Sequence, residues 1–310
     1  MEEREEEEMA YNLKTIKEDF KNKGIFYTPK ELAVFIKSFL PNDVTEIYDP
    51  TCGDGALLEV FDENIIKYGQ DINEEQIEVA KLKLKNFLVE SGDTLKDDKF
   101  KNKKFKYIVA NPPFSINWEQ DSNDERFSVA PALAPKLKAD YAFILHILNK
   151  LTDDGIAVIM EFPGILYRGN SEQKIRQWLV EQNFIEKVVA VPGDKFIDTK
   201  IATCIIVLNK RKKDANIIFV DDNLRKDRIV SFEEIKSNNF NLSVNQYIQE
   251  ERIEQKVDPI QLQIQARKSF LNKLKAELEF DKTICEMENY NFNEYLIDIK
   301  NIIKKFEREE

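Results

Sequence analysis

Histidine occurs once in this chain and cysteine three times. A lone imidazole, His146, argues against a zinc hydrolase and against Ser-His-Asp catalysis. Cys52, Cys204 and Cys285 are odd in number, far apart and in no C-x-x-C pair, which argues against a disulfide framework and a thiolate metal cage. No run of about 18 apolar residues is present, nor a leader built on a shorter one, so neither a membrane span nor a secretion signal is expected and a cytoplasmic location follows. Positive charge is in deficit. The net charge of −11 argues against a protein that holds nucleic acid by charge alone. Part of it is local: residues 2–8 are six Glu and one Arg, net −5, and read as a solvated, frayed arm without chemistry. What is present is 42% hydrophobic and 33% charged residues over 310 positions, enough for one large domain or two modest ones at about 150 residues each.

From Thr45 to Asn209, short runs rich in Ile and Val alternate with segments of helical period. That alternation predicts an α/β fold with a mostly parallel sheet and crossover helices. The expected strands are Glu46–Asp49, Ile66–Asp71, Phe87–Glu90, Tyr107–Ala110, Ile156–Glu161, Ile185–Ala190 and Thr203–Leu208, with an eighth at Ile217–Val220. Thr28-Pro-Lys-Glu31 reads as a capping box with proline at the first helical position, and Asn73-Glu-Glu-Gln76 as a second polar cap. Two regions break the alternation. Ser115 to Asp140 lacks periodicity and holds Trp118, Arg126, Phe127, Pro131 and Pro135; loops of that length inside compact domains are usually functional or mobile. From Asp258 onward the pattern is helical only, with Ile260, Ile264, Leu271, Leu274 and Leu278 in one run and a second apolar stripe from Phe292 to Phe306. These predict an α-helical hairpin outside the sheet, which either caps the first domain or joins a partner. A lysine cluster, Lys96, Lys99, Lys101, Lys103, Lys104 and Lys106, reads equally as phosphate contacts or as a solvated turn.

Asp49-Pro-Thr-Cys-Gly-Asp-Gly55 falls at the end of the first expected strand, where open α/β sheets bind ligands, and its glycines let backbone approach a ligand closely. Alone it also fits an ordinary strand-to-helix turn. The third glycine of the dinucleotide fingerprint is missing, since Ala-Leu-Leu follows Gly55, so a cofactor without a pyrophosphate fits better. Asp71 ends the second strand 22 residues after Asp49, the place of an acid that accepts from ribose hydroxyls. Asp93, in Ser91-Gly-Asp-Thr94, is either a turn aspartate or an acceptor for an exocyclic amine of an adenine. The tetrapeptide Asn111-Pro-Pro-Phe114 ends the fourth strand. Its two prolines donate no backbone hydrogen bond and force an extended shape, so the Asn111 side chain and the Pro112 carbonyl converge as acceptors, with the Phe114 ring beside them. An amine on an aromatic ring is a poor nucleophile because its lone pair is delocalised. Two acceptors on its hydrogens favour the pyramidal geometry that attacks, and no metal or histidine is needed. By itself the tetrapeptide also fits a proline-terminated edge strand.

With these segments in this order, the chain resembles the S-adenosylmethionine-dependent amino-methyltransferases of the N6-adenine DNA type, and more narrowly the modification subunit of type I restriction-modification systems. The resemblance runs over about residues 24 to 250, through Tyr27-Thr-Pro29, the Asp49 to Gly55 loop, Asp71, Asp93, Asn111 to Phe114, Asp140 to His146, Phe162 to Gly169, Lys174-Ile-Arg176 and Ile201 to Asn209. It implies a Rossmann-like methyltransferase domain at 24–250, an acidic arm at 1–23 and a helical assembly region at 251–310. It implies that Tyr27, Thr28 and Pro29 line the methionine end of the cofactor. Asp49, Pro50, Thr51, Gly53 and Gly55 would hold its amino-acid part, Asp71 and Ile72 its ribose, and Asp93 its adenine. Asn111 and Pro112 would hold the target amine, with Pro113 part of the same catalytic motif; Phe114 and Phe196 would stack on a base flipped out of the helix, because a paired adenine cannot be reached in the reacting geometry. The implied partners are double-stranded DNA, a specificity subunit that reads the site, and a restriction subunit. No region after the catalytic segment is large enough to read bases, so recognition is expected to come from elsewhere; the resemblance implies that the C-terminal helices join those of a specificity subunit, in a complex of two modification chains and one specificity chain. Related tetrapeptides also occur in enzymes that methylate guanine amines of ribosomal RNA and glutamine amides of proteins, and a cofactor-binding scaffold without catalysis is a third reading.

Overall fold

The computed structural model describes residues 28–193, 202–249, 258–288 and 290–306. The acidic arm, Tyr27 and Phe196 lie outside the described residues. The chain divides into two compact units, Met1–Glu250 and Glu251–Glu310.

The first unit is built on one nine-stranded sheet: β1 Glu46–Asp49, β2 Ile66–Asp71, β3 Phe87–Ser91, β4 Phe105–Ala110, β5 Leu151–Glu161, β6 Ile185–Val191, β7 Thr203–Asn209, β8 Ile217–Asp221 and β9 Lys226–Val230, in the spatial order β3-β2-β1-β4-β5-β7-β6-β8-β9. The pairs β1–β2, β1–β4, β2–β3, β4–β5 and β6–β8 are parallel. β7 inserts antiparallel between β5 and β6, and β9 closes the edge antiparallel to β8. The expected α/β sheet is therefore present, with one strand more than the seven or eight read from the sequence. The extra strand, Lys226–Val230, is largely exposed along its length, and its charges give no apolar alternation to detect, as is usual at a protected sheet edge.

β4 shows why a central parallel strand is apolar on both sides. Tyr107 and Val109 face a core layer with Leu32, Ala33 and Ile36, whereas Ile108 and Ala110 face a second layer with Tyr141, Ile144 and Ile175. Helix α1 Lys30–Lys37 precedes β1, α2 Ala56–Glu59 and α3 Glu74–Lys83 follow β1 and β2, and a short helix, α4 Glu125–Ser128, interrupts the segment before α5 Asp140–Lys150. α6 Asn170–Glu181, α7 Phe232–Ser237 and α8 Val244–Tyr247 complete the unit. Asn73 caps α3 as its sequence implies, accepting from the Glu75 and Gln76 amides at 3.0 and 3.2 Å. The first cap differs from expectation. α1 begins after Pro29 with no side-chain cap, and the Thr28 hydroxyl is engaged elsewhere, with Asn111.

The second unit contains α9 Pro259–Met287 and α10 Phe292–Phe306. Asp258 caps α9 by accepting from the Ile260 amide at 3.0 Å, with Pro259 in the first turn. The Tyr295 hydroxyl donates to Asp281 Oδ2 at 2.6 Å and ties the two helices together. Among the described residues no helix is long and apolar enough to cross a membrane.

Candidate active site

The site forms where the carboxyl ends of β1, β2, β3 and β4 meet, the position at which open parallel sheets leave a crevice. β1 delivers Asp49, which is 1% exposed and accepts from the Thr51 amide at 2.9 Å and the Thr51 hydroxyl at 3.4 Å. The chain then turns through Gly53 (φ +49°) and Gly55 (φ +83°). At Gly55 a Cβ would lie 2.7 Å from Leu84 Cδ1, so the left-handed turn and the packing of α3 both require glycine. At Gly53 a Cβ would meet nothing within 4 Å, so this backbone faces open space.

Asp71, ending β2, locks the turn. Its Oδ2 accepts from the Gly53 amide at 2.8 Å and its Oδ1 from the Asn73 amide at 2.9 Å. Burial pushes the Asp71 carboxyl above its usual range. The Asp49 carboxyl is pushed up to about 7, chiefly by burial and further by the nearby Asp71 charge, against the opposing pull of the Thr51 amide. Two carboxylates raised by burial beside an open glycine turn are best satisfied by a ligand that brings positive charge and hydroxyl donors. The turn after β3 joins them through Thr94, whose hydroxyl donates to the Pro50 carbonyl at 2.5 Å. Asp93 Oδ1 accepts from the Leu95 amide at 3.0 Å. Asp93, Leu95 and Lys96 border a cleft whose other wall includes Trp118, Lys136 and Phe143. Ile72, at the end of β2, is 68% exposed.

Asn111 follows β4 directly, and its Nδ2 donates to the Thr28 hydroxyl at 3.2 Å. That bond orients the amide and leaves Oδ1 as its acceptor end. Pro112 is buried, Pro113 is half-buried, and Phe114 is half-buried against the core layer that contains Leu32 and Ile36. Past Phe114 the backbone enters the left-handed region at Ser115 (φ +52°), a strained conformation for a residue with a Cβ. Asp140 holds it there, its Oδ1 accepting from the Ser115 amide at 3.3 Å, and Arg168 Nη2 reaches the Ser115 hydroxyl at 3.4 Å. Behind this turn Glu161 ends β5 fully buried, and neither carboxyl oxygen has a hydrogen-bond partner among the described residues. Burial, reinforced by the Asp140 charge, pushes the Glu161 carboxyl well up.

Thr28, Pro29, Asp49, Pro50, Thr51, Gly53, Gly55, Asp71, Ile72, Asp93 and Asn111 to Phe114 thus sit just before α1 or at and after successive strand ends of one sheet edge. Of the lysine cluster, only Lys96 borders the cleft. Lys103 pairs with Glu46 at 2.9 Å, Lys106 with Asp43 at 3.3 Å and Lys96 with Glu119 at 2.9 Å; Lys99 pairs with Asp97, and Lys104 bonds Asn149. Lys103 to Lys106 flank the start of β4, whereas Asn111 follows its end. These partners favour the solvated-turn reading over phosphate contacts. Sequence reading also missed the roles of Arg126, Asp140 and Glu161, for which no local pattern is diagnostic.

A family model described as N-6 DNA Methylase matches residues 10–230. The chain is 36% identical over 233 residues to the type I restriction enzyme MpnII methylase subunit of Mycoplasma pneumoniae, covering 65% of this chain and 43% of that protein. It is 27% identical over 232 residues to the type I restriction enzyme HindI methylase subunit of Haemophilus influenzae, covering 68% and 52% respectively. The crystal structure of a type I restriction-modification system methyltransferase subunit from Streptococcus thermophilus is similar with a TM-score of 0.66 at 29% identity, covering 72% of this chain and 59% of that one. The chain spans about half the length of the curated relatives it matches.

Proposed function

Because the chain belongs to the N-6 DNA Methylase family, we propose that it is the catalytic modification subunit of a type I restriction-modification system, methylating the N6 amine of a flipped adenine in double-stranded DNA. The observation that carries this reading is the orientation of Asn111: its Nδ2 is held by Thr28 at 3.2 Å, beside the acidic glycine turn of Asp49, Gly53 and Asp71. S-adenosylmethionine, when bound, supplies an electrophilic methyl group on a cationic sulfur. The residues present suit it. Asp49 and the Gly53 to Gly55 turn would receive its amino-acid part, Asp71 its ribose hydroxyls, and Asp93 the exocyclic amine of its adenine. Thr28 and Pro29, and with them Tyr27, would line the methionine end.

On the substrate side, Asn111 Oδ1 and the Pro112 carbonyl each accept one hydrogen of the target amine. Held so, the nitrogen lone pair leaves the plane of the ring and points along the line of attack, and its acidity rises as the new bond forms. Preorganised acceptors of this kind are typically worth a hundredfold or more in rate. Phe114 stacks on one face of the extruded base, and Phe196 is assigned to the other. Pro113 contributes rigidity, since neither proline can rotate about φ. Sequence recognition is assigned to a separate specificity subunit, which α9 and α10 would join in a helical bundle with two modification chains per specificity chain; a restriction subunit would complete the system.

Transfer of tritium-labelled methyl to adenine-rich duplex DNA, ribosomal RNA and protein, with and without the specificity subunit, tests this. Label should appear in duplex DNA and depend on that subunit. Label in RNA or protein instead moves the enzyme to the guanine or glutamine class, and cofactor binding without transfer to any of them makes it a scaffold.

A further inference from the structure

Arg126 takes no part in the site as drawn, yet it is 8% exposed and all five of its N–H donors are used. Nε donates to both Asp124 oxygens at 3.0 Å, and Nη2 to Asp124 Oδ2 at 2.6 Å and to the Leu95 carbonyl at 2.7 Å. Nη1 donates to the Thr94 carbonyl at 2.8 Å and lies 2.9 Å from His146 Nδ1. An arginine only donates, so His146 Nδ1 accepts, and the imidazole is the neutral tautomer with its hydrogen on Nε2. Burial and the adjacent guanidinium push the His146 pKa well down, in keeping with that state.

One planar group therefore joins three segments distant in sequence: the turn after β3, the irregular stretch between β4 and α5, and α5 itself. The connection continues into the site. Thr94, gripped through its carbonyl by Arg126, donates its hydroxyl to the Pro50 carbonyl at 2.5 Å in the turn after β1. Asp93 immediately precedes the two gripped carbonyls, and its Oδ1 is tied to the Leu95 amide at 3.0 Å. The same stretch supplies the facing wall of the cleft through Trp118, whose ring meets Phe127 edge-on at 4.9 Å; Phe127 in turn lies under the Arg126 guanidinium at 4.8 Å.

We infer that Arg126 is a positioning residue that fixes the Asp93 turn against the segment after Asn111-Pro-Pro-Phe114, and thereby sets which purine the cofactor site accepts. The inference rests on the cofactor reading given above. Adenine presents an exocyclic amine to Asp93, whereas hypoxanthine presents a carbonyl oxygen, which a carboxylate repels. That discrimination exists only while the carboxylate is held in register. Lysine keeps the positive charge but has a point-like head with three donors and no fork, so it cannot hold two neighbouring carbonyls and Asp124 together.

The test is equilibrium binding of S-adenosylhomocysteine and S-inosylhomocysteine to the full chain without DNA, with thermal melting as the check on folding. The wild type should prefer the adenine compound by about tenfold or more, the scale of a charged hydrogen bond gained against one lost. Arg126→Lys should narrow the preference to within about threefold. A purely structural role would weaken both ligands in proportion and leave the ratio unchanged, so the ratio is the readout. Should Arg126→Lys fail to fold, Asp124→Asn, which loosens the grip from its more exposed side, decides by the same ratio. A folded variant with wild-type discrimination overturns the inference alone; a wild type that binds neither ligand overturns the cofactor reading and this inference with it.

Discussion

The carboxyl edge of the sheet and the two C-terminal helices differ in what they leave unsatisfied. At the edge, half-buried polar groups of the site are matched: both Asp71 oxygens accept backbone amides, and the Asn111 amide is oriented by Thr28. On α9 the reverse holds, with Ile260, Leu262, Ile264, Phe270, Leu271 and Phe280 each between 55% and 67% exposed. The ion pairs along α9, such as Lys273–Glu277 and Lys275–Glu279 at 3.7 Å, follow i,i+4 spacing and are worth only a few tenths of a kcal/mol each. The assembly role proposed for α9 and α10 rests on this uncovered apolar surface. If the proposed function is right, the first region should fail by point substitution in its prebuilt geometry and the second by deletion of its surface.

The largest effect tests the helices. Truncation after Val257 should leave a folded, cofactor-binding first unit that no longer associates with the specificity chain and no longer methylates its site. Size-exclusion chromatography with light scattering checks this, and a truncated chain that still co-elutes and methylates normally would erase the distinction between the two regions. Next in size is Asn111→Ala, expected to lower methyl transfer by about a hundredfold or more while barely changing cofactor affinity. Equal rates at saturating substrate would remove Asn111 from the chemistry. Asp71→Ala should weaken S-adenosylmethionine by about tenfold or more, since it removes a charged acceptor and releases the Gly53 amide; unchanged calorimetric affinity would displace the proposed cofactor site.

The smallest effect is a proton. With its carboxyl at about 7 rather than 3.8, Asp49 holds its proton more tightly in the folded chain than in the unfolded one. Its contribution to stability is therefore fully present below about pH 4 and is lost as the pH climbs towards and through 7. A cationic ligand would reverse that penalty by drawing the carboxyl down, so binding at pH 7 should release about half a proton. Calorimetry in buffers of different ionisation enthalpy measures the release, and Asp49→Asn should abolish it. Release that persists in that variant would assign the proton to another group.

Much of the edge was legible before any coordinates. Asp49, Gly53, Asp71, Asn111 and Phe114 fall at or just after the ends of apolar runs, and parallel strands joined by crossover helices bring such ends to one edge of a sheet. Thr28 shows the limit of local reading: it fits a capping box, but its hydroxyl is spent on Asn111, 83 residues away. The irregular segment after Ser115 has no periodicity because its structure comes from single buried anchors such as Trp118 and Arg126.

By itself the sequence determined the strands of the sheet up to β8, the cap of α3, and the order of the acidic turn and the Asn-Pro-Pro-Phe turn along the chain. These follow from periodicity and from the stereochemistry of proline, glycine and capping side chains, which act over a few residues. Only the tertiary structure decided that β7 runs antiparallel between β5 and β6, that β9 extends the edge, and that Glu161 is buried without a partner among the described residues. The Arg126 junction belongs with them: Thr94, Asp124 and His146 are brought to one guanidinium. Strand order, edge pairing and burial depend on which surfaces meet after collapse, and no short stretch of chain carries that information.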